Sequence, residues 1–414
     1  MVSKKLNILL LPETAFPANR PMLVSLWNGE FSLRGHNLTW VMKPAFPLPV
    51  LRKIKWGKSQ LYLLPSIPSK NILERAIHAF LNLIILVQVV KKLLIKENID
   101  WIHAHDGFGE GLISIFSAKK YGRRSSFAYT APFIEIKKNS ALKAKGLSYY
   151  LRYTWYLFVK KSFVCIFRMS DFIFPISQNL GTRIMSDYNI EKRKVMAVNE
   201  SANKLFLSKT KKNYLHSGTR KIIYVGYMRN ERKLDLLLRS FKLILARFEN
   251  VELIFLGWSN VKDDILELKK IATGLEIRDK VKFLGKKPYG EVPDIILDSD
   301  IGVSPVPPTD VYLDSTPTKV VEYLSLGIPV VANEEIKDQK DLLKESEGGI
   351  SVKYDEKAFA NAIFWLLKNP KEAAEMGRKG KEWITKNRTF EHSAEKIEMK
   401  YYDVINRGIN AKAH

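Results

Sequence analysis

The sequence predicts an α/β protein made of two open, mostly parallel sheets. Three observations lead there. Short β-rich runs alternate with longer helical patterns along almost the whole chain, as in a parallel sheet covered by helices on both faces. The strand candidates are too numerous for one ordinary sheet and fall into two groups, before residue 205 and after residue 220. A chain of 414 residues also exceeds what one hydrophobic core usually holds, so two domains are expected.

The first group opens with LNILLL (6–11), which runs into the Pro-rich loop LPETAFPANRP (11–21) carrying Glu13, Asn19 and Arg20. That loop is either a rigid turn or a place where a ligand is held. NLTWVM (37–42) follows. The longest apolar run, AFLNLIILVQVV (79–90), is interrupted by Asn82 and Gln88. It falls short of the roughly 20 residues that span a bilayer, so it reads as a buried helix. In WIHAH (101–105), strand alternation puts His103 and His105 on one face and Ala104 on the other. His105 and Asp106 then emerge at the strand's carboxyl end, with His103 further back as buried structure. FIFPIS (172–177) completes the group.

Between Glu135 and Asp171 there is no acidic residue, against eight basic ones (Lys137, Lys138, Lys143, Lys145, Arg152, Lys160, Lys161 and Arg168) and eight aromatics. Two readings stand. One is an interfacial helix drawn to anionic lipid by roughly 1 kcal/mol per basic residue near the surface. The other is a helix half buried against the sheet, its charges merely solvated.

The stretch 205–220 is polar, basic and without periodicity, and reads as a linker. It separates a first domain, 1–204, from a second, 221–389; a helical segment, 390–414, is expected to pack back on the first. The second domain has strands KIIYVG (221–226), VELIFLG (251–257), VKFLG (281–285), IGVSPV (301–306) and IPVVAN (328–333). After Gly226 comes a basic loop with Arg229, Arg232 and Lys233, and a helix begins near Leu234. These cations crowd the carboxyl end of a strand, where open α/β sheets bind ligands. Arginine offers paired donors to phosphate oxygens and lysine a point charge.

The stretch DSTPTKVVEYLSLGIPVVA (314–332) is the most informative. Pro317 suits a first helical turn, and the helix should run from Thr318 to about Leu326 and stop at Gly327, ahead of Pro329. Free N–H groups at the helix start and the helix dipole form an anion site, to which Lys319 adds a full charge. Glu322, three positions on, lies close to the same face. A carboxylate there would serve a diol, accepting from two hydroxyls. Phosphate beside ribose is what a nucleoside diphosphate presents.

On these residues the chain resembles the retaining GT-B glycosyltransferases, in particular the family 4 group and its Ser-x-Pro-x-Lys-x-x-Glu subgroup. The resemblance implies two Rossmann-like domains facing across a cleft, and transfer of a sugar from a nucleoside diphosphate sugar to a hydroxyl acceptor with retention. It implies that Arg229 with Lys233 or Arg232 holds the donor diphosphate and that Glu322 binds the ribose. Asp314 stands where the family's first acid, usually the longer glutamate, precedes the second by eight positions. Gly226, Gly257, Gly285, Lys286 and Lys287 would border the donor, as would Thr316, Pro317, Thr318 and Lys319. His105 would sit near the sugar's anomeric carbon, and Glu13, Asn19, Arg20 and Asp106 would face the acceptor. No metal or other cofactor is implied: Asp298-Ser299-Asp300 precedes a strand and reads as a turn, and cations plus a helix N-terminus can stabilise the leaving diphosphate. A lipid-linked glycan is an acceptor of the right kind, and polysaccharide or glycolipid synthesis the setting.

Bulk properties agree. A net charge of +24 favours anionic partners, and no nucleic-acid reading module accompanies it, so no nucleic acid is expected. Cys165 is the only cysteine, which suits a reducing compartment. The opening residues have no secretory pattern, so a cytoplasmic protein is expected, with a peripheral place on the membrane's cytoplasmic face if the basic segment docks there. A nucleotide-sugar epimerase of the same fold and a basic nucleic-acid-binding protein are the alternatives.

Overall fold

The computed structural model describes residues 5–18, 20–211, 218–316 and 318–410. The chain forms two compact units, one of 1–199 with 393–414 and one of 200–392.

The first unit holds a sheet of β1 (Asn7–Pro12), β2 (Asn37–Met42), β3 (Arg52–Trp56), β4 (Ser59–Leu63), β5 (Trp101–His105), β6 (Arg124–Tyr129) and β7 (Phe172–Pro175). Its order is β3-β4-β2-β1-β5-β6-β7, parallel throughout except where β3 runs against β4. The central strands are apolar on both faces because helices cover both: Leu9, Leu10, Ile102 and Ala104 are all buried. Three of these strands lacked an apolar signature. β3 is a charged edge strand, β4 beside it begins Ser-Gln, and β6 begins Arg-Ser-Ser because Ser126 does polar work inside the core. Its hydroxyl accepts from Trp101 Nε1 at 2.9 Å, lies 2.8 Å from His103 Nδ1 and shares a 2.6 Å hydrogen bond with Tyr401.

Tyr401 belongs to the C-terminal helix Phe390–Asn410, whose later residues fold into the first unit as expected. Its ring stacks on Trp101 at 3.8 Å. One turn earlier, Glu398 takes a hydrogen bond from Arg34 at 2.9 Å and sits 3.0 Å from His36 Nε2.

Two helices depart from, or refine, expectation. The helix Ile72–Lys96 has 25 residues, and only its second half is packed, through Leu86, Val89, Val90, Leu93 and Leu94. Its first half, including Leu73, Ile77, Phe80, Leu81 and Ile84, is exposed, which corrects the reading of a buried helix. The helix Leu147–Met169 buries Val159, Phe163, Ile166 and Phe167 while Leu147, Tyr150, Leu151, Trp155 and Phe158 stay exposed.

In the second unit, β8 (Arg220–Tyr227), β9 (Val251–Trp258), β10 (Val281–Gly285), β11 (Ile301–Ser304), β12 (Val330–Asn333) and β13 (Gly349–Val352) form a parallel sheet. The order β10-β9-β8-β11-β12-β13 is that of a doubly wound nucleotide-binding fold, which reverses direction between β8 and β11. β13 (GISV) opens on a glycine and is only half-buried along its length, so it lacked the apolar run that marked the other strands. Residues 205–211, expected as linker, belong to this unit: Phe206 is buried and Lys211 Nζ donates to the carbonyls of Leu297 and Ser299 at 3.2 and 2.7 Å. Residues 212–217 of that stretch lie outside the described residues.

Candidate functional site

In open α/β sheets ligands bind beyond the carboxyl ends of the strands, where the order reverses; here that is between β8 and β11, and Gly226 and Lys319, singled out in the sequence, meet at the end of β8. Gly226 and Gly257 are register partners in β8 and β9. At Gly257 (φ 149°) a Cβ would stand 1.8 Å from the Gly226 carbonyl oxygen, so no side chain fits. At Gly226 (φ 151°) it would meet the Tyr224 hydroxyl at 3.2 Å and Lys319 Cε at 3.4 Å. The bare backbone at Gly226 therefore lets Lys319 lie directly over the strand end.

Lys319 comes from the helix Thr318–Ser325, which follows the β11 loop and ends at Gly327 in the left-handed conformation (φ 80°), as its composition predicts. Lys319 Nζ lies 3.8 Å from Glu322 Oε2. Glu322 is buried; burial pushes its carboxyl above the usual carboxylate range, and Lys319 pulls it back. The Tyr289 hydroxyl makes a long 3.5 Å hydrogen bond to Glu322 Oε1 and receives one from Asn203 Nδ2 at 2.9 Å. Neither Tyr289 nor Asn203 was legible as a site residue, because their link to Glu322 exists only once distant segments fold together.

The three loop cations are not equivalent. Arg232 stacks over the Tyr312 ring at 4.4 Å. It also acts on Tyr224, whose hydroxyl burial pushes up to about 12 while Arg232 pulls it down. Tyr224 thus links Arg232 to the strand end at Gly226. Arg229 is instead paired with Glu231 at 2.9 Å. Lys233 has the left-handed backbone (φ 49°) that ends the short turn Asn230–Arg232. Arg229 and Lys233 line a surface depression with Asp235, Arg239 and Glu267, whereas Arg232 is the loop cation that acts on Tyr224.

The remaining donor-side candidates are placed as follows. Asp314 is buried at the end of the 311–314 turn. Thr316 donates its hydroxyl to Asp338 at 2.5 Å and accepts from Arg388 at 2.8 Å, which makes it an anchor of that half-buried ion pair. Thr318 begins the helix, and Pro317 lies outside the described residues. Gly285 (φ 70°) has open space around its Cα. Lys286 Nζ sits 4.8 Å over the Trp258 ring. Asp298 and Asp300 hold the strand start, Asp300 accepting from the Lys221 N–H at 2.8 Å and Asp298 from its ammonium at 2.6 Å.

The first sheet has its own reversal, between β1 and β5, and a second polar group sits there. Asp106 (φ 65°) is buried; it accepts from the Thr130 N–H and hydroxyl at 2.7 and 2.6 Å and pairs with Arg20. His105 Nε2 lies 3.5 Å from Asp106. Glu13 donates its N–H to the His105 carbonyl at 3.1 Å; burial raises its carboxyl pKa, helped by Glu110 and Asp106. His105 closes β5, at the strand's carboxyl end as expected; it is buried there, and burial holds its imidazole below the usual pKa against the pull of Asp106. Thr130, Glu110 and Lys43, the last 3.9 Å from Glu110, are additions that the sequence did not signal. Asn19 lies outside the described residues.

Residues 208–383 match the model of the family "Glycosyl transferases group 1". The matched region contains the whole second sheet with Gly226, Arg232, Lys319 and Glu322. Along nearly its full length the chain is similar in structure to sucrose-phosphate synthase from Thermosynechococcus elongatus, with 15% identity, a TM-score of 0.73 and coverage of 97% of this chain and 100% of the other. It is also similar to a glycosyltransferase from Rickettsia africae, with 12% identity, a TM-score of 0.70 and coverage of 97% and 99%. The third is Anabaena HepE in complex with UDP, with 13% identity, a TM-score of 0.69 and coverage of 96% and 100%. At such identities the likeness establishes the fold, which is GT-B: two Rossmann-like parallel-sheet domains and a C-terminal helix. No curated protein matches the chain in sequence.

Proposed function

We propose that the protein transfers a sugar from a nucleoside diphosphate sugar to a hydroxyl acceptor, with retention, in polysaccharide or glycolipid synthesis at the cytoplasmic side of a membrane. One observation carries the reading: within a region of glycosyl transferase group 1 character, Lys319 and Glu322 lie one turn apart at a helix N-terminus, over the bare strand end at Gly226. The helix N-terminus and Lys319 receive the diphosphate, Arg232 adds paired donors, and ionised Glu322 accepts from the two ribose hydroxyls. Lys286 and Trp258 border the nucleobase. The UDP in the HepE structure supports a nucleoside diphosphate as the ligand.

In the reaction the acceptor oxygen bonds to the anomeric carbon as its bond to the diphosphate oxygen breaks. The departing phosphate oxygen takes the acceptor's proton, on the face it leaves. Fixed cations matched to the growing charge of the leaving group lower the barrier. In the first unit, Glu13, Arg20, Asp106 and neutral His105 form the acceptor side.

Calorimetric titration of UDP, GDP, ADP and the parent nucleosides tests the reading. A nucleoside diphosphate should bind, and Lys319→Met should weaken the diphosphate while sparing the nucleoside. If none of the diphosphates binds, the reading falls.

A further inference from the structure

The helix Ile72–Lys96 is amphipathic in the wrong direction for a soluble surface helix. Its start is firmly made: Asn71 Oδ1 accepts from the Glu74 N–H at 2.8 Å, and Glu74 Oε2 accepts from the Lys70 N–H at 2.7 Å, a reciprocal cap. Its second half buries Leu86, Val89, Val90, Leu93 and Leu94. At helical spacing the exposed line Leu73, Ile77, Phe80, Ile84, Val87 lies on the opposite side. Arg75, His78 and Asn82 fall on the core-directed side of the first half, where no core is packed. Leu73 and Phe80 are 71% and 63% exposed.

The apolar surface continues onto the neighbouring helices. Phe108–Tyr121 packs against both Ile72–Lys96 and Leu147–Met169. It exposes Phe116, while the third helix exposes Leu147, Tyr150, Leu151, Trp155 and Phe158. Contiguous apolar exposure of this kind marks an interaction surface. Its charge selects the partner: the segment between Glu135 and Asp171 has eight basic residues and no acidic one, and Lys91, Lys92 and Lys96 close the first helix. A second copy would bring another +24 chain against it and be repelled, whereas an anionic surface is attracted.

We propose that this helical face docks on an anionic lipid bilayer, with the first half of Ile72–Lys96 sunk to interfacial depth through Leu73, Ile77, Phe80 and Ile84. The helix is long and apolar enough to cross a bilayer, but Leu86, Val89, Val90, Leu93 and Leu94 are packed in the first unit, which favours a place at the interface over a crossing. Apolar side chains enter the headgroup boundary while lysine and arginine meet lipid phosphates. The face goes beyond the basic segment already considered and does not depend on the transferase reading.

Co-sedimentation of the full chain with vesicles, no sugar donor present, tests this. Binding is expected to vesicles of phosphatidylcholine with phosphatidylglycerol, and much less to phosphatidylcholine alone. Phe80→Glu with Ile84→Glu should lower partitioning at least ~10-fold with an unchanged thermal transition. If that variant does not fold, Phe80→Gln alone should lower it ~5-fold. Full binding by the folded variants, no binding by wild type, or a wild-type dimer by light scattering that the variants abolish would each overturn the proposal.

Discussion

Lys319 Nζ stands 3.8 Å from Glu322 Oε2, an ion pair made within one helical turn and roofed over a glycine. The pair sets two opposite demands on Glu322: burial disfavours its charge, and Lys319 favours it. A ligand with phosphate and vicinal hydroxyls satisfies both groups at once.

Replacing Glu322 tests the diol assignment. Glu322→Ala should weaken nucleoside diphosphate binding by about 1.5–3 kcal/mol, the range for hydrogen bonds to a charged group. The 2′-deoxy ligand, which lacks one hydroxyl, should lose much less in the variant than in wild type. Equal affinities for wild type and variant in calorimetry would count against the assignment.

The same carboxyl predicts a pH dependence. Its pKa is raised from 4.5, so the charged, hydroxyl-accepting form is lost as pH falls through a value above 4.5. Donor affinity should therefore drop on that acidic limb, and Glu322→Gln should flatten it. For stability the sign is reversed: a raised carboxyl pKa contributes stability at low pH that is lost as pH rises through the raised value.

Arg232 and Arg229 should differ. Arg232→Ala is expected to lower transfer activity by one to several orders of magnitude, since a preorganised donor to a developing charge contributes roughly 3 kcal/mol. Arg229→Ala, which breaks only an exposed pair with Glu231, should change it by less than about 1 kcal/mol. Initial rates with a shared donor and acceptor decide between them.

Gly257→Ala should be severely destabilising. Its Cβ would sit 1.8 Å from a backbone oxygen, and backbone cannot move aside as a side chain tip can, so a cost above about 3 kcal/mol is expected. Urea unfolding followed by circular dichroism measures it.

Buried histidines predict acid sensitivity of the first unit. Burial lowers the pKa of His36, His103 and His105, so the folded state binds fewer protons than the unfolded chain below 6.5. Their contribution is complete above that value and lost as pH falls beneath it, by up to about 1.4 kcal/mol per pH unit for each. Urea midpoints at pH 7.5 and 5.5 should show the fall, and His103→Gln should reduce its slope.

Taken alone, the sequence determined the parts that depend on local pattern. Alternating apolar runs and helical periods located the strands that carry the site, and Gly327 with Pro329 marked the end of the helix bearing Lys319 and Glu322. These follow from backbone sterics and side-chain spacing, which act over a few residues. Tertiary structure alone decided the rest. β6 hides a serine pair because Ser126 bonds to Tyr401, 275 positions away. Arg232 stacks on Tyr312, 80 positions away, while Arg229 pairs with its near neighbour Glu231. His105, at the end of β5, is buried beside Asp106, which pairs with Arg20 from a loop 86 positions away. The helix Ile72–Lys96 turns its apolar line outward because only its second half finds a core to bury. Each of these outcomes rests on partners distant in sequence, and periodicity carries no information about them.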